Sequence, residues 1–151
     1  MKDGANALLK TLNCQTKKIE AVYYKLALNS KMSESAFWIL YVLAGAEHEC
    51  SQREISKELS ISRQTINSAI QSLVQRGYIF LEQSSVFTRR KNICMTEKGK
   101  RFVEERILPL QEAEREALLK MDDLSQNQYV ALSQVYAENL QAEIEKVFAI
   151  T

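Results

Sequence analysis

The run Ser51-Gln52-Arg53-Glu54-Ile55-Ser56-Lys57-Glu58-Leu59-Ser60-Ile61-Ser62-Arg63-Gln64-Thr65-Ile66-Asn67-Ser68 decides the fold. Ser51 and Glu54 stand at capping-box spacing. The serine hydroxyl can accept from the amide of Glu54, and the glutamate can accept from the amide of Ser51. A short helix therefore opens here and runs to Leu59, with Ile55 and Leu59 facing inward. Leu59-Ser60-Ile61 makes a tight turn. Ser62 caps a second helix that runs to Arg76-Gly77 and turns Ile66, Ala69, Ile70, Leu73 and Val74 inward. Two β-type runs follow, Tyr78-Ile79-Phe80-Leu81 and Ile93-Cys94-Met95, joined by a loop around Ser84-Ser85-Val86-Phe87-Thr88. A lone hairpin is marginal in water, so this one must pack on the helices. Helix, turn, helix and hairpin make a winged helix-turn-helix. In that layout the second helix suits the major groove of a duplex and the hairpin suits the backbone beside it.

The outward residues fit that use. Ser62, Arg63, Gln64, Thr65, Asn67, Ser68 and Gln71 are nearly all hydrogen-bonding, with a single charge among them. A merely solvated helix carries more Glu and Lys, whereas reading base edges asks for polar, donor-rich side chains. Arg89, Arg90 and Lys91 give the hairpin a cationic tip for phosphate or minor groove. The whole chain has a formal net charge of only +1. Between Ser51 and Arg101, however, ten basic residues face four acidic ones, a net of +6, and the remainder carries −5. The basic footprint coincides with the segment that needs phosphate contacts.

Elsewhere the chain is helical. One proline and four glycines in 151 residues leave few turns, so the fold class is mainly α with a small β-hairpin wing. Leu8, Leu9, Leu12, Ile19, Val22, Tyr23, Leu26 and Ala27 recur at helical spacing within residues 5–30. Asn29-Ser30-Lys31 ends that helix, and Ser33 caps a strongly apolar one through Val42 and Leu43. Gly45 to Cys50 reads as a loop. Thr96 caps a long helix to about Met121, in which Pro109 predicts a kink. Ser125-x-x-Gln128 reads as a second capping box, opening a last helix with Tyr129, Leu132, Val135, Tyr136, Leu140, Ile144, Val147 and Phe148 on one stripe.

A winged module of roughly 65 residues cannot bury three further apolar stripes. They are expected to bury against a second copy, as a two-fold dimer with recognition helices about one DNA turn apart. The expected organisation is residues 1–30 as an N-terminal dimerisation helix, 31–101 as the winged region and 102–151 as C-terminal dimerisation helices, all one compact dimeric fold.

From Ser51 to Lys100 the sequence resembles the MarR (multiple antibiotic resistance regulator) family of winged-helix transcription factors. The resemblance rests on Ile55-Ser56-Lys57-Glu58-Leu59-Ser60-Ile61-Ser62, Leu73-Val74-Gln75-Arg76-Gly77-Tyr78-Ile79, the Arg-rich wing and Met95-Thr96-Glu97-Lys98-Gly99. It implies a cytoplasmic homodimer on a pseudo-palindromic DNA site, usually a repressor, with DNA binding weakened by a small molecule or an oxidant. The sequence departs from the family at the wing. The aspartate that usually positions the key arginine would fall at Phe87 or Thr88, and neither is acidic.

Other residues form weaker constellations. Phe37, Trp38 and Tyr41 form an aromatic group that suits the core and, less well, an effector pocket. Cys14 lies upstream of Tyr23 and Tyr24, and the resemblance allows it a thiol-based oxidant-sensing role, which would require a depressed pKa. Three widely spaced cysteines make no disulfide framework and suit a reducing cytoplasm. His48, with Glu47, Glu49 and Cys50, is too crowded on one loop to complete a metal sphere. Neither a phosphate loop nor a nucleophile elbow is present, so no catalytic residue, metal or cofactor is expected. No apolar run is long enough for a membrane span, and no secretion leader is read. The rival from another class is a winged-helix protein-interaction module without DNA affinity.

Overall fold

The computed structural model describes residues 2–47, 50–85 and 88–149; the side chains of residues 2, 3, 84, 85 and 88–90 are not described. His48, Glu49, Val86 and Phe87 lie outside the described residues, and with them the metal reading at His48 and the tip of the wing. The elements in order are α1 (Lys2–Asn29), α2 (Glu34–Gly45), β1 (Cys50–Ser51), α3 (Gln52–Leu59), α4 (Arg63–Gln75), β2 (Ile79–Ser85), β3 (Thr88–Met95), α5 (Glu97–Phe102), a π-helical turn (Val103–Ile107), α6 (Leu108–Leu119) and α7 (Asp123–Phe148). The fold is mainly α, with a small antiparallel sheet as the wing.

The chain forms two compact units, residues 1–108 and 109–151. The first holds the core. Ile39 and Leu40 of α2, Ile55 of α3, Ile66 and Leu73 of α4 and Ile79 of β2 are fully buried together. Each such residue contributes about 1.5–3 kcal/mol through removal of apolar surface from water. The inward set expected for α4 is correct except for Val74, which is 40% exposed. Val74 follows Leu73 by one residue, about 100° around the helix, and so falls on the flank beside the wing.

The caps follow the sequence closely. Ser51 and Glu54 form the reciprocal capping box: the Ser51 amide donates to Glu54 Oε2 at 2.7 Å and the Glu54 amide to Ser51 Oγ at 3.4 Å. The loop expected from Gly45 to Cys50 ends early, because Cys50 and Ser51 pair with Ile93 and Asn92 of β3. This makes a three-stranded sheet of order β1-β3-β2. Gly77 (φ 72) ends α4, with the Tyr78 amide bonded to Leu73 O and the Gly77 amide to Val74 O. That pair of bonds closes the last carbonyls of the helix and turns the chain into β2.

Two expectations for the C-terminal helices need correction. The long helix after Thr96 is not uniformly α. At Val103–Ile107 it widens into a π turn, where the Leu108 amide donates to Val103 O, five residues back. Pro109, which has no N–H to offer Glu105 O, follows directly. The last helix is capped by Asp122, not Ser125: the Asp122 carboxylate accepts from the Ser125 amide at 3.0 Å and from its hydroxyl at 2.6 Å. Asp122 was available as a cap three residues earlier, and it gains both Ser125 donors at once. In the second unit neither α6 nor α7 has a fully buried residue. Among the described residues no helix is long and apolar enough to cross a membrane.

Candidate nucleic-acid interface

Recognition geometry begins at the α3–α4 turn. Ser60 takes a left-handed conformation (φ 53), and the Ile61 amide returns to Ser56 O at 3.2 Å. The Ser56 hydroxyl donates to Ile61 O at 2.7 Å and stitches the turn from the other side. Gln52, at the start of α3, donates from Nε2 to Arg63 O at 3.4 Å, a bridge the sequence pattern did not suggest.

Ser62, Arg63, Gln64, Thr65, Asn67, Ser68 and Gln71 are all exposed, as expected. They divide into two groups. The Ser62 hydroxyl accepts from the Thr65 amide at 3.2 Å and lies 2.9 Å from the Thr65 hydroxyl, while Ser68 Oγ donates to Gln64 O at 3.1 Å. Those three hydroxyls are already engaged in shaping the helix. The side chains of Arg63, Gln64, Asn67 and Gln71 make no hydrogen bond to other described residues, which leaves two amide faces, a third amide and a guanidinium open to a partner.

The electrostatics of the helix end agree with this. The capped helices α2, α3, α5 and α7 each carry an acid in the first turn (Glu34, Glu54, Glu97 and Asp123), whereas α4 has none and begins with Arg63. A helix N-terminus carries about half a positive charge. No acid in the first turn of α4 offsets it, which favours an anion from a partner.

Between α4 and the wing runs an open groove of about 530 Å³, walled by Asn67, Gln71, Val74 and Gln75 on the helix, Leu81 and Lys91 on the sheet and Gln52 at one end. Lys91 is exposed and paired in register with Gln83. Arg89 and Arg90 lie on β3 beside it, their side chains outside the description. Of the helix and wing residues singled out from sequence, Asn67, Gln71 and Lys91 line this groove.

The remaining candidates fall elsewhere. Phe37 is buried, its ring meeting Phe102 and Trp38 edge-on, so it belongs to the core. Trp38 and Tyr41 are half-buried, with ring centroids 5.1 Å apart, and Tyr23 covers Trp38 from α1 at 4.9 Å. Cys14 is exposed on α1. Cys50 is buried on β1; burial, with Glu54 and Glu58 nearby, pushes its thiol pKa up and keeps it protonated. Cys94 is half-buried, its sulfur 3.8 Å from Glu82 Oε2. Among the described residues no group of three or more His, Cys, Asp or Glu could hold a metal.

The model of the MarR family matches residues 30–90, from the end of α1 to the wing. Solved structures agree over a longer span. A MarR family regulator from Neisseria meningitidis is 22% identical, with a TM-score of 0.76 over 92% of this chain and 97% of its own. A protein of Listeria monocytogenes assigned to the MarR family of transcriptional regulators, complexed with a 26mer DNA, is 18% identical, with a TM-score of 0.72 over 93% of each chain. MepR of S. aureus, in a DNA complex, is 19% identical, with a TM-score of 0.68 over 87% of this chain and 96% of its own. At such identities the likeness is one of fold. No curated protein is detectably similar in sequence.

Proposed function

We propose that this chain is a sequence-specific DNA-binding transcriptional regulator of the MarR family. The observation that carries the reading is the outer face of α4. It bears four side chains without a hydrogen bond to other described residues, Arg63, Gln64, Asn67 and Gln71, on a helix with no acid in its first turn. Arg63 to Gln71 reads base edges in the major groove, and Ser62 with Thr65 fixes the start of the helix against the backbone. Arg89, Arg90 and Lys91 grip phosphate or the minor groove. The DNA complexes of the Listeria protein and of MepR support this partner for the fold.

The regulator acts as a homodimer in the cytoplasm. Leu8, Ile19 and Val22 on α1, and Leu132, Val135 and Val147 on α7, leave apolar surface open on a single chain, each at least 49% exposed. Stripes of that extent mark an interface, and a two-fold axis would present two α4 helices to successive major grooves. Residues 1–30 and 102–151 then hold the dimer and 31–101 reads DNA. Repression follows from occupying a pseudo-palindromic operator. A small-molecule effector relieves it by changing the spacing of the two α4 helices, so that both no longer fit.

Selection from random duplexes by the purified protein at near-physiological salt tests the reading. Enrichment of an inverted repeat with half-sites about ten base pairs apart supports it. Weak, salt-insensitive binding with no enriched sequence would sink it in favour of a protein-interaction module.

A further inference from the structure

The end of the recognition helix is fastened in a way that base reading does not require. Arg76, the residue after α4, donates from Nη1 to the carbonyl of Lys31 at 2.9 Å, across 45 residues of sequence. Lys31 is the left-handed residue (φ 53) that terminates α1: its amide returns to Leu28 O and the Met32 amide to Ala27 O. Arg76 therefore joins the last turn of α4 to the last turn of α1. A second cation closes the joint. Lys98 Nζ donates to the carbonyl of Arg76 at 2.6 Å and stands 4.4 Å over the Tyr78 ring, while the Arg76 guanidinium lies 5.2 Å over the same ring. No carboxylate pairs with Arg76 or Lys98 among the described residues.

Aromatic contacts run parallel to this joint. Tyr23 of α1 meets Trp38 at 4.9 Å, Trp38 meets Phe37 at 6.2 Å, Phe37 meets Phe102 at 6.3 Å and Phe102 meets Tyr78 at 5.5 Å. Two connected routes thus lead from α1 to the C-terminal end of α4, one polar and one aromatic. The outward face of α4 depends on how this end is held. A 13-residue helix is about 20 Å long, so a tilt of about 5° at the tether moves the N-terminal end by ~1.7 Å. A hydrogen bond to a base edge does not survive that displacement.

We propose that Arg76 is a positioning residue for DNA recognition, one that touches no DNA and sets the recognition helix against the end of α1. The inference rests on the DNA-binding reading above. It makes the Lys31–Arg76–Tyr78–Lys98 knot the joint through which a change in α1 reaches the reading surface.

The test compares wild type with Arg76→Met, Lys98→Met and the double variant on the selected operator, over a series of salt concentrations. Arg76→Met is expected to weaken operator binding roughly tenfold, within the usual range for coupled sites, with the salt slope unchanged. The double variant should lose less than the two single losses combined, because both cations act on one joint. Without DNA, hydrogen exchange in Arg76→Met should speed up at the amides of Met32, Gly77 and Tyr78 and stay unchanged at those of Ile39 and Leu40. A salt slope lowered by about 0.9 would show that Arg76 touches phosphate itself and overturn the proposal. Wild-type affinity in Arg76→Met, or additive losses, would overturn it too. If wild type selects no duplex, the DNA reading fails and the positioning role with it. The exchange measurement then still reports separately whether Arg76 fastens the two helix ends.

Discussion

Gly99→Ala puts two opposed effects on one position. Gly99 lies in the first turn of α5, where its backbone passes the carbonyl of Tyr78. A Cβ built at Gly99 would stand 2.1 Å from Tyr78 O, 3.2 Å from Tyr78 C and 3.4 Å from Met95 Cβ. An ordinary carbon–oxygen contact is about 3.3 Å, so one backbone must retreat by about 1.2 Å. The oxygen that must move accepts from the Thr96 amide at 3.0 Å, and the Thr96 hydroxyl reaches it at 3.1 Å. That hydroxyl also accepts from the Gly99 amide at 3.1 Å. Overpacking against backbone costs about 1–3 kcal/mol. Weakening the Thr96 bonds adds about 1 kcal/mol. The better helix propensity of alanine returns about 1 kcal/mol. The net expectation is a loss of about 1–3 kcal/mol, a large fraction of a typical stability. Urea unfolding at fixed protein concentration, followed through the single tryptophan, Trp38, measures it. Gly4→Ala and Gly45→Ala supply the contrast: both glycines are helical and neither would bring a Cβ within 4 Å of a neighbour, so neither change should destabilise. If Gly99→Ala proves as stable as wild type, propensity outweighs the close approach and the reasoning from the Tyr78 contact is wrong.

Further expectations concern the reading helix, the dimer and pH. Arg63→Ala should weaken operator binding by about 1–3 kcal/mol while sparing random DNA, if Arg63 reads a base; equal loss on every duplex in competition binding would confine it to phosphate. Leu132→Glu places a charge on the exposed row of α7, where Leu132 is 67% exposed. Sedimentation should then show a shift toward the mass of one chain, and an unchanged mass would remove α7 from the interface. The hydroxyl and amide of Ser125 hold the Asp122 carboxyl below the usual carboxylate range. A depressed folded-state pKa contributes stability that is present above the unfolded value and is lost as pH falls through the folded one. Asp122→Asn should keep the cap at neutral pH and flatten that part of the acid limb of helicity against pH, measured by circular dichroism. An identical acid limb in both proteins would show that the cap does not set it.

The local features of this chain were legible in its sequence because their causes are local. The capping box needs only Ser51 and Glu54, three residues apart. The buried stripe of α4, Ile66, Ala69, Ile70 and Leu73, needs only the helical period, and the same period leaves Arg63, Gln64, Asn67 and Gln71 outward. The wing follows from two β-type runs, the first directly after a glycine that can take positive φ. Where two local solutions competed, as with Asp122 and Ser125, the pattern alone chose the wrong cap.

What only the tertiary structure decided depends on partners far apart in the chain. Two residues are too short a strand to show a period, so β1 exists only because Cys50 and Ser51 lie against Ile93 and Asn92. Val74 satisfies the apolar pattern yet lines a groove, because the wing stands off from that flank of α4. Gly99 looks like any helical glycine until the carbonyl of Tyr78 occupies the space of its missing side chain. Arg76 reads as one more surface cation until Lys31, 45 residues away, presents its carbonyl. The sequence by itself determined which segments fold and which faces they turn outward, since period and capping act within a few residues. The sheet edge, the groove and the fastening of α4 required the fold, since each joins residues far apart in the chain that no spacing encodes.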